Sequence, residues 1–109
     1  MANTFKLKTK ANVGVTTVGI YTAPAATTTV VIGITLSNTS GSGVNVGVGI
    51  TRAGTTEGVK LLKNAPIPQG SSLEFMGGNK VVLETTDTLT VDSDTNNSVD
   101  AALTIMEIT

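Results

Sequence analysis

Residues 28–52 read TTVVIGITLSNTSGSGVNVGVGITR. Two alternating apolar runs flank a Ser/Gly-rich segment. In the first, Val30, Ile32, Ile34 and Leu36 share one face; in the second, Val44, Val46, Val48 and Ile50 do. Side chains on a strand point alternately to opposite sides, so period 2 predicts strands with one buried face. Ser40-Gly41-Ser42-Gly43 supplies turn chemistry between them. The stretch therefore predicts a central β-hairpin, and the rest of the chain is read outward from it.

Towards the N-terminus, Thr22-Ala23-Pro24-Ala25 is a break, since Pro24 has no N–H for a ladder and restricts Ala23. Residues 13–21 read as a strand, with Val18 and Ile20 in register. Residues 4–10 put Phe5, Leu7 and Thr9 on one face and Lys6, Lys8 and Lys10 on the other. This is the first strand of the sandwich or an extended N-terminal arm over residues 1–10. The lysines suit a solvated face or the protection of a sheet edge.

Towards the C-terminus, Ala53-Gly54-Thr55-Thr56 reads as a turn and residues 57–63 as a strand. Asn64 to Gly70 carries two prolines and reads as a crossing loop, because prolines are excluded from central strands. Leu73 and Phe75 mark a strand, Gly77-Gly78-Asn79 a tight hairpin turn, and Val81 and Leu83 its partner. Leu89 and Val91 form another strand after the Thr85-Thr86-Asp87 turn, and a polar loop follows from Asp92 to Ser98. In the last strand Val99, Ala101, Leu103 and Ile105 alternate with Asp100, Ala102, Thr104 and Met106.

Short strands at regular spacing, each followed by a turn signal, predict an all-β fold: a single β-sandwich, immunoglobulin-like or jelly-roll-like, of about eight strands. A small barrel is the alternative. The predicted core is Val30, Ile32, Ile34, Leu36, Val46, Val48, Ile50, Leu103 and Ile105. A length of 109 residues with no linker predicts one domain over 1–109.

Composition narrows function. The chain has no Cys and no His, so thiolate metal sites and Ser-His or Cys-His nucleophiles are excluded. A net charge of -1 gives no basic excess for nucleic acid. MANTFKLKTK lacks the apolar segment of a secretory signal, and no run reaches the ~18 apolar residues of a membrane helix. Charged residues are 14% of the chain, against about 25–35% on an ordinary free-standing surface. Such a surface suits a chain covered by other chains. The outward residues Asn45, Gly47, Gly49 and Ala102 offer little to repel a neighbour, and a glycine within a strand often marks close approach by another backbone. Phe5 and Leu7 can anchor in apolar grooves while Lys6 and Lys8 face an acidic partner.

Chemistry-bearing motifs are weak. Asp92, Asp94 and Asn96 match the opening of a calcium loop. The match then fails, with Asn97 where Gly is needed and Leu103 where a bidentate Glu is needed. An ordinary hairpin loop explains the residues better. The glycines at 41, 43, 47 and 49 do not join a strand to a helix, so they do not form a phosphate cradle. Glu57, Glu74, Glu84 and Glu107 fall on separate elements and pair with nothing for acid–base work. The reading is a protein that is not an enzyme, without cofactor, small-molecule substrate, nucleic-acid or membrane partner.

At residues 21–52, YTAPAATTTVVIGITLSNTSGSGVNVGVGITR resembles the core of small virion structural proteins of tailed bacteriophages. The shared features are a "TAP" turn into a strand, an "NTSGS" turn, a loop like NAPIPQGSSLEF and a run like KVVLETTDTLTV, over roughly residues 13–108. The resemblance implies a β-sandwich that assembles on a phage particle. Capsid decoration, or cement, is the first expectation; a tail, neck or fibre component or a host-surface-binding module is the alternative. The implied partners are other virion subunits, such as major capsid or tail proteins, and copies of the chain itself. The resemblance brings no catalytic residue. The Cys pair and buried Trp of adhesion immunoglobulin domains are missing.

Overall fold

The computed structural model describes residues 3–52, 58–75 and 80–109. Among these residues it holds nine strands and no helix: β1 (Asn3–Val13), β2 (Val18–Thr22), β3 (Thr28–Asn38), β4 (Val44–Thr51), β5 (Gly58–Ile67), β6 (Ser72–Phe75), β7 (Val81–Leu83), β8 (Thr88–Ser93) and β9 (Val99–Ile108). One sheet runs β1-β9-β3, with β6 and β7 both on the far edge of β3; the other runs β2-β8-β4-β5. Every pairing is antiparallel, and the pairings nest: β1 with β9, β2 with β8, β3 with β6 and β7, β4 with β5. A long antiparallel ribbon has been rolled so that its successive strand pairs alternate between two packed sheets. That is the jelly-roll form of the β-sandwich.

The predicted central hairpin is not one. β3 lies in one sheet and β4 in the other, so the stretch is an arch across the core. Each strand buries a whole face, which a pair of strands facing each other across a core satisfies as well as a hairpin does. Asn38 holds the corner. Its buried Nδ2 donates to the carbonyls of Ser42 (2.8 Å), Ile67 (3.0 Å) and Pro68 (3.2 Å), and its Oδ1 accepts from Ser40 N (2.9 Å). One side chain thus ties both ends of the arch to the end of β5.

A second correction concerns Val30 and Ile32, which are half-buried and not core residues. β3 bulges between Val31 and Gly33 against β9. A bulge adds one residue and inverts the alternation beyond it. Thr29 and Val31 therefore face inward before the bulge, and Ile34 and Leu36 after it. β2 bulges likewise between Gly19 and Tyr21, so Tyr21, opposite Leu89, turns into the core and Ile20 does not stay in register with Val18. The other expected core residues, Ile34, Leu36, Val46, Val48, Ile50, Leu103 and Ile105, are buried, with Val13, Ile67, Leu83, Leu89, Val91 and Val99 among those beside them.

Three boundaries also move. β1 continues to Val13, and a bend separates it from β2. β5 runs through Pro66, where a crossing loop was expected; β5 is an edge strand, the place in a sheet where proline is tolerated. β6 and β7 do not pair with each other: β6 lies along Ile34–Ser37 and β7 along Thr29–Val31, as one interrupted edge. The expected turns at 53–56 and 77–79 lie outside the described residues. The Thr85-Thr86-Asp87 turn is anchored by the buried Asp87 carboxylate, which accepts from Arg52 Nε (3.0 Å) and Glu84 N (2.9 Å).

Candidate assembly interface

Residues opposite each other on paired strands point to the same side of a sheet, so the registers reveal each face. On the outer face of the five-stranded sheet, Phe5 stands opposite Met106, Met106 opposite Val30, and Val30 opposite Val82. These four apolar side chains form a row across four strands. Phe5 is 70% exposed, Leu7 65% and Val82 55%, too much large apolar surface for scattered exceptions. The rows on either side, Asn3–Ile108–Thr28 and Leu7–Thr104–Gly33, carry no charge. Next comes a row of smaller side chains, Thr9–Ala102–Thr35, ending at Glu74. A hollow of about 280 Å³ opens there, lined by Glu74 together with Ile32, Gly33, Thr35, Ala102 and Thr104 among others.

The lysines of β1 point the other way. Lys6 lies opposite Ile105 and Lys8 opposite Leu103, both core positions. Lys6 Nζ reaches Glu107 Oε1 at 2.9 Å. Glu107 is buried, and its Oε2 accepts a 2.6 Å bond from the Tyr21 hydroxyl, itself 2.8 Å from Thr29 Oγ1. The Tyr21 bond, then Lys6, holds the carboxyl below its ordinary range. Burial, then the Glu107 bond, pushes the Tyr21 phenol up to about 12. Both bulges are required here, since Tyr21 and Thr29 face inward only because of them. Lys6 is thus engaged within its own chain.

The remaining predicted contact residues divide between the two sheets. Ala102 is half-buried on the outer face of the five-stranded sheet. Asn45, Gly47 and Gly49 belong to β4 in the other sheet. Asn45 is exposed, but Gly47 and Gly49 are buried under this chain's own atoms. A Cβ on Gly47 would lie 2.6 Å from Asp92 Oδ1 and 3.3 Å from Leu62 O; one on Gly49 would lie 2.9 Å from Val59 O. The approaching backbone is β5, which shifts register twice against β4.

Asp92 accepts from Thr17 Oγ1 (2.9 Å) and Lys60 Nζ (3.3 Å), and Asp94 from Asn45 N (3.1 Å). Asn96 Oδ1 accepts a long bond from Val15 N (3.5 Å). The loop's oxygens thus bond to protein donors, and no metal-ligating group of three or more His, Cys, Asp or Glu side chains occurs among the described residues. Sequence reading found Phe5, one end of the apolar row, and Leu7 in the row beside it, from their alternation with lysine. It missed Met106, Val30 and Val82, whose union depends on strand order.

No family model and no curated protein matches the chain. Solved structures do. One is a subunit described under "Bacillus endospore appendages form a novel family of disulfide-linked pili", with 15% identity and a TM-score of 0.57, covering 99% of this chain and 87% of that one. Another is a pentameric capsid protein from metagenomic phage sequences, with 19% identity and a TM-score of 0.44, covering 94% of this chain and 59% of that one. The first likeness supports the two-sheet fold.

Proposed function

We propose that this chain is a structural subunit of a virion, and within that class a decoration or cement protein on the capsid shell of a tailed phage. The observation that carries the proposal is the uncharged apolar row Phe5–Met106–Val30–Val82 on an outer sheet face, in a chain with only 14% charged residues. An exposed patch of this kind, with polar residues beside it, marks a surface that another molecule covers. The sequence resemblance to small virion proteins supplies the kind of particle. A subunit of the same fold in an endospore appendage is a second example of this fold used as a building block. That appendage is described as disulfide-linked, whereas this chain has no cysteine, so its contacts within an assembly are not disulfides.

The test is to raise an antibody against the recombinant chain and label particles from its source for electron microscopy. Labelling spread over the shell is the expected result. Labelling of the tail, neck or fibres selects the alternative position. Particles that neither carry the label nor co-sediment the recombinant chain would remove the proposal.

A further inference from the structure

We infer that the outer face of the five-stranded sheet pairs with the same face of a second copy of this chain. The inference rests on the reading that this face is an assembly contact, and it names the neighbour. The face is complementary to itself. Its apolar row stands beside the Leu7–Thr104–Gly33 row, which is small at Thr104 and Gly33, and the hollow of about 280 Å³ opens at those two residues. A two-fold axis between the Phe5–Met106–Val30 and Leu7–Thr104–Gly33 rows, in the plane of the contact, sets each copy's Phe5–Met106–Val30 over the other's Leu7–Thr104–Gly33 and its Asn3–Ile108–Thr28 over Thr9–Ala102–Thr35. That is an isologous contact, in which one patch serves both copies. The two central rows are uncharged, so two identical surfaces meet there without repulsion, and Glu74 ends an outer row at a corner of the contact.

Area is sufficient for a weak pair. Four strands at about 4.8 Å spacing and four rows about 7 Å apart cover about 500 Å² per copy. The pair thus buries about 1,000 Å², at the threshold of specific interfaces. The sheet edges offer no competing route. β1 carries inward-pointing Lys6, Lys8 and Lys10, β5 has Pro66 and two register shifts, β2 is short and bulged, and the β6–β7 edge is interrupted. Inward charges, proline, bulges and short strands are the devices that block edge-to-edge pairing.

Sedimentation velocity over a range of concentrations tests the inference. The mass should rise from 11.0 kDa towards twice that value, with a midpoint in the micromolar range. Phe5→Asp places a charge in the contact, and Gly33→Lys fills the hollow from a position where a Cβ meets nothing within 4 Å. Both should stay monomeric at every concentration, with unchanged thermal melting. Val59→Lys, on the other sheet, should still pair. If Phe5→Asp does not fold, Gly33→Lys alone decides. A wild-type chain monomeric at about 1 mM overturns the inference, and so does pairing that survives both substitutions. A monomeric wild type whose Phe5→Asp variant loses co-sedimentation with particles would sink the pair but leave the assembly reading standing. Loss of neither property's dependence on the face, with monomeric wild type and undiminished particle binding by Phe5→Asp, would remove both.

Discussion

Glu107 shows how much one side chain depends on its partners. It continues the inward series Val99, Ala101, Leu103, Ile105 along β9, where a bare carboxylate would not be tolerated. Tyr21, aided by Lys6, makes the charge tolerable through a short, charge-assisted bond. Because Glu107 is held below its unfolded range, its contribution is present above the ordinary carboxylate pKa and fades as pH falls through its lowered value. Tyr21 acts at the other end of the scale. Its phenol is raised from 10.0 to about 12, so its contribution is complete below pH 10 and is lost as pH rises towards about 12. Tyr21 is the sole tyrosine of the chain, so phenolate absorbance reports it alone. The folded protein should titrate near 12, and the urea-unfolded protein near 10. A folded-state midpoint at 10 would contradict the buried bond. Tyr21→Phe should cost about 1–3 kcal/mol at pH 7 by leaving Glu107 short of a donor, measured by urea unfolding.

The strands show which parts of the fold can be read from sequence and which cannot. Alternation identified most strands and the burial of Ile34, Leu36, Val46, Val48 and Leu103, because side-chain period is a local property. Pairing is not local. The alternation in residues 28–52 does not distinguish a hairpin from an arch across a core; the distinction lies in the long-range bonds of Asn38 to Ile67 and Pro68 at the end of β5. The bulge in β3 is hidden too, since VVIG is apolar in either register, and alternation alone points Val30 and Ile32 into the core. The strand glycines had two readings, and neighbours separate them. Gly49→Ala drives a Cβ to 2.9 Å from the backbone oxygen of Val59 and should destabilise by about 1–3 kcal/mol. Gly33→Ala meets open space and should be neutral or stabilise by about 0.4–1 kcal/mol through the unfolded chain. Equal melting temperatures for the two variants would refute the β4–β5 packing. Deleting residues 1–10 removes eight paired positions against β9 and the Lys6 partner of Glu107. The urea midpoint should fall well below that of the full chain; an unchanged midpoint would show that β1 contributes nothing to the sandwich.

At the scale of the whole molecule, two kinds of contact are available for assembly, and they respond oppositely to salt. Contacts through the β1 lysines would be electrostatic. Raising sodium chloride from about 0.1 M to about 1 M shortens the screening length from about 10 Å to about 3 Å and would weaken them. Contacts through the outer face bury Phe5, Met106, Val30 and Val82, and screening does not weaken the burial of apolar surface. Lys6 is already joined to Glu107 and points to the inner side of the sheet, whereas Phe5 and Val82 stand exposed on the outer face. Association should therefore hold steady through the salt series and tighten in sulfate, which strengthens apolar burial. Reducing agent should change nothing, since the chain has no cysteine. Sedimentation of the same sample across the series is the measurement. A tenfold weakening in sodium chloride would assign the contact to charge, and the lysine side of β1 would then replace the apolar row as the assembly surface.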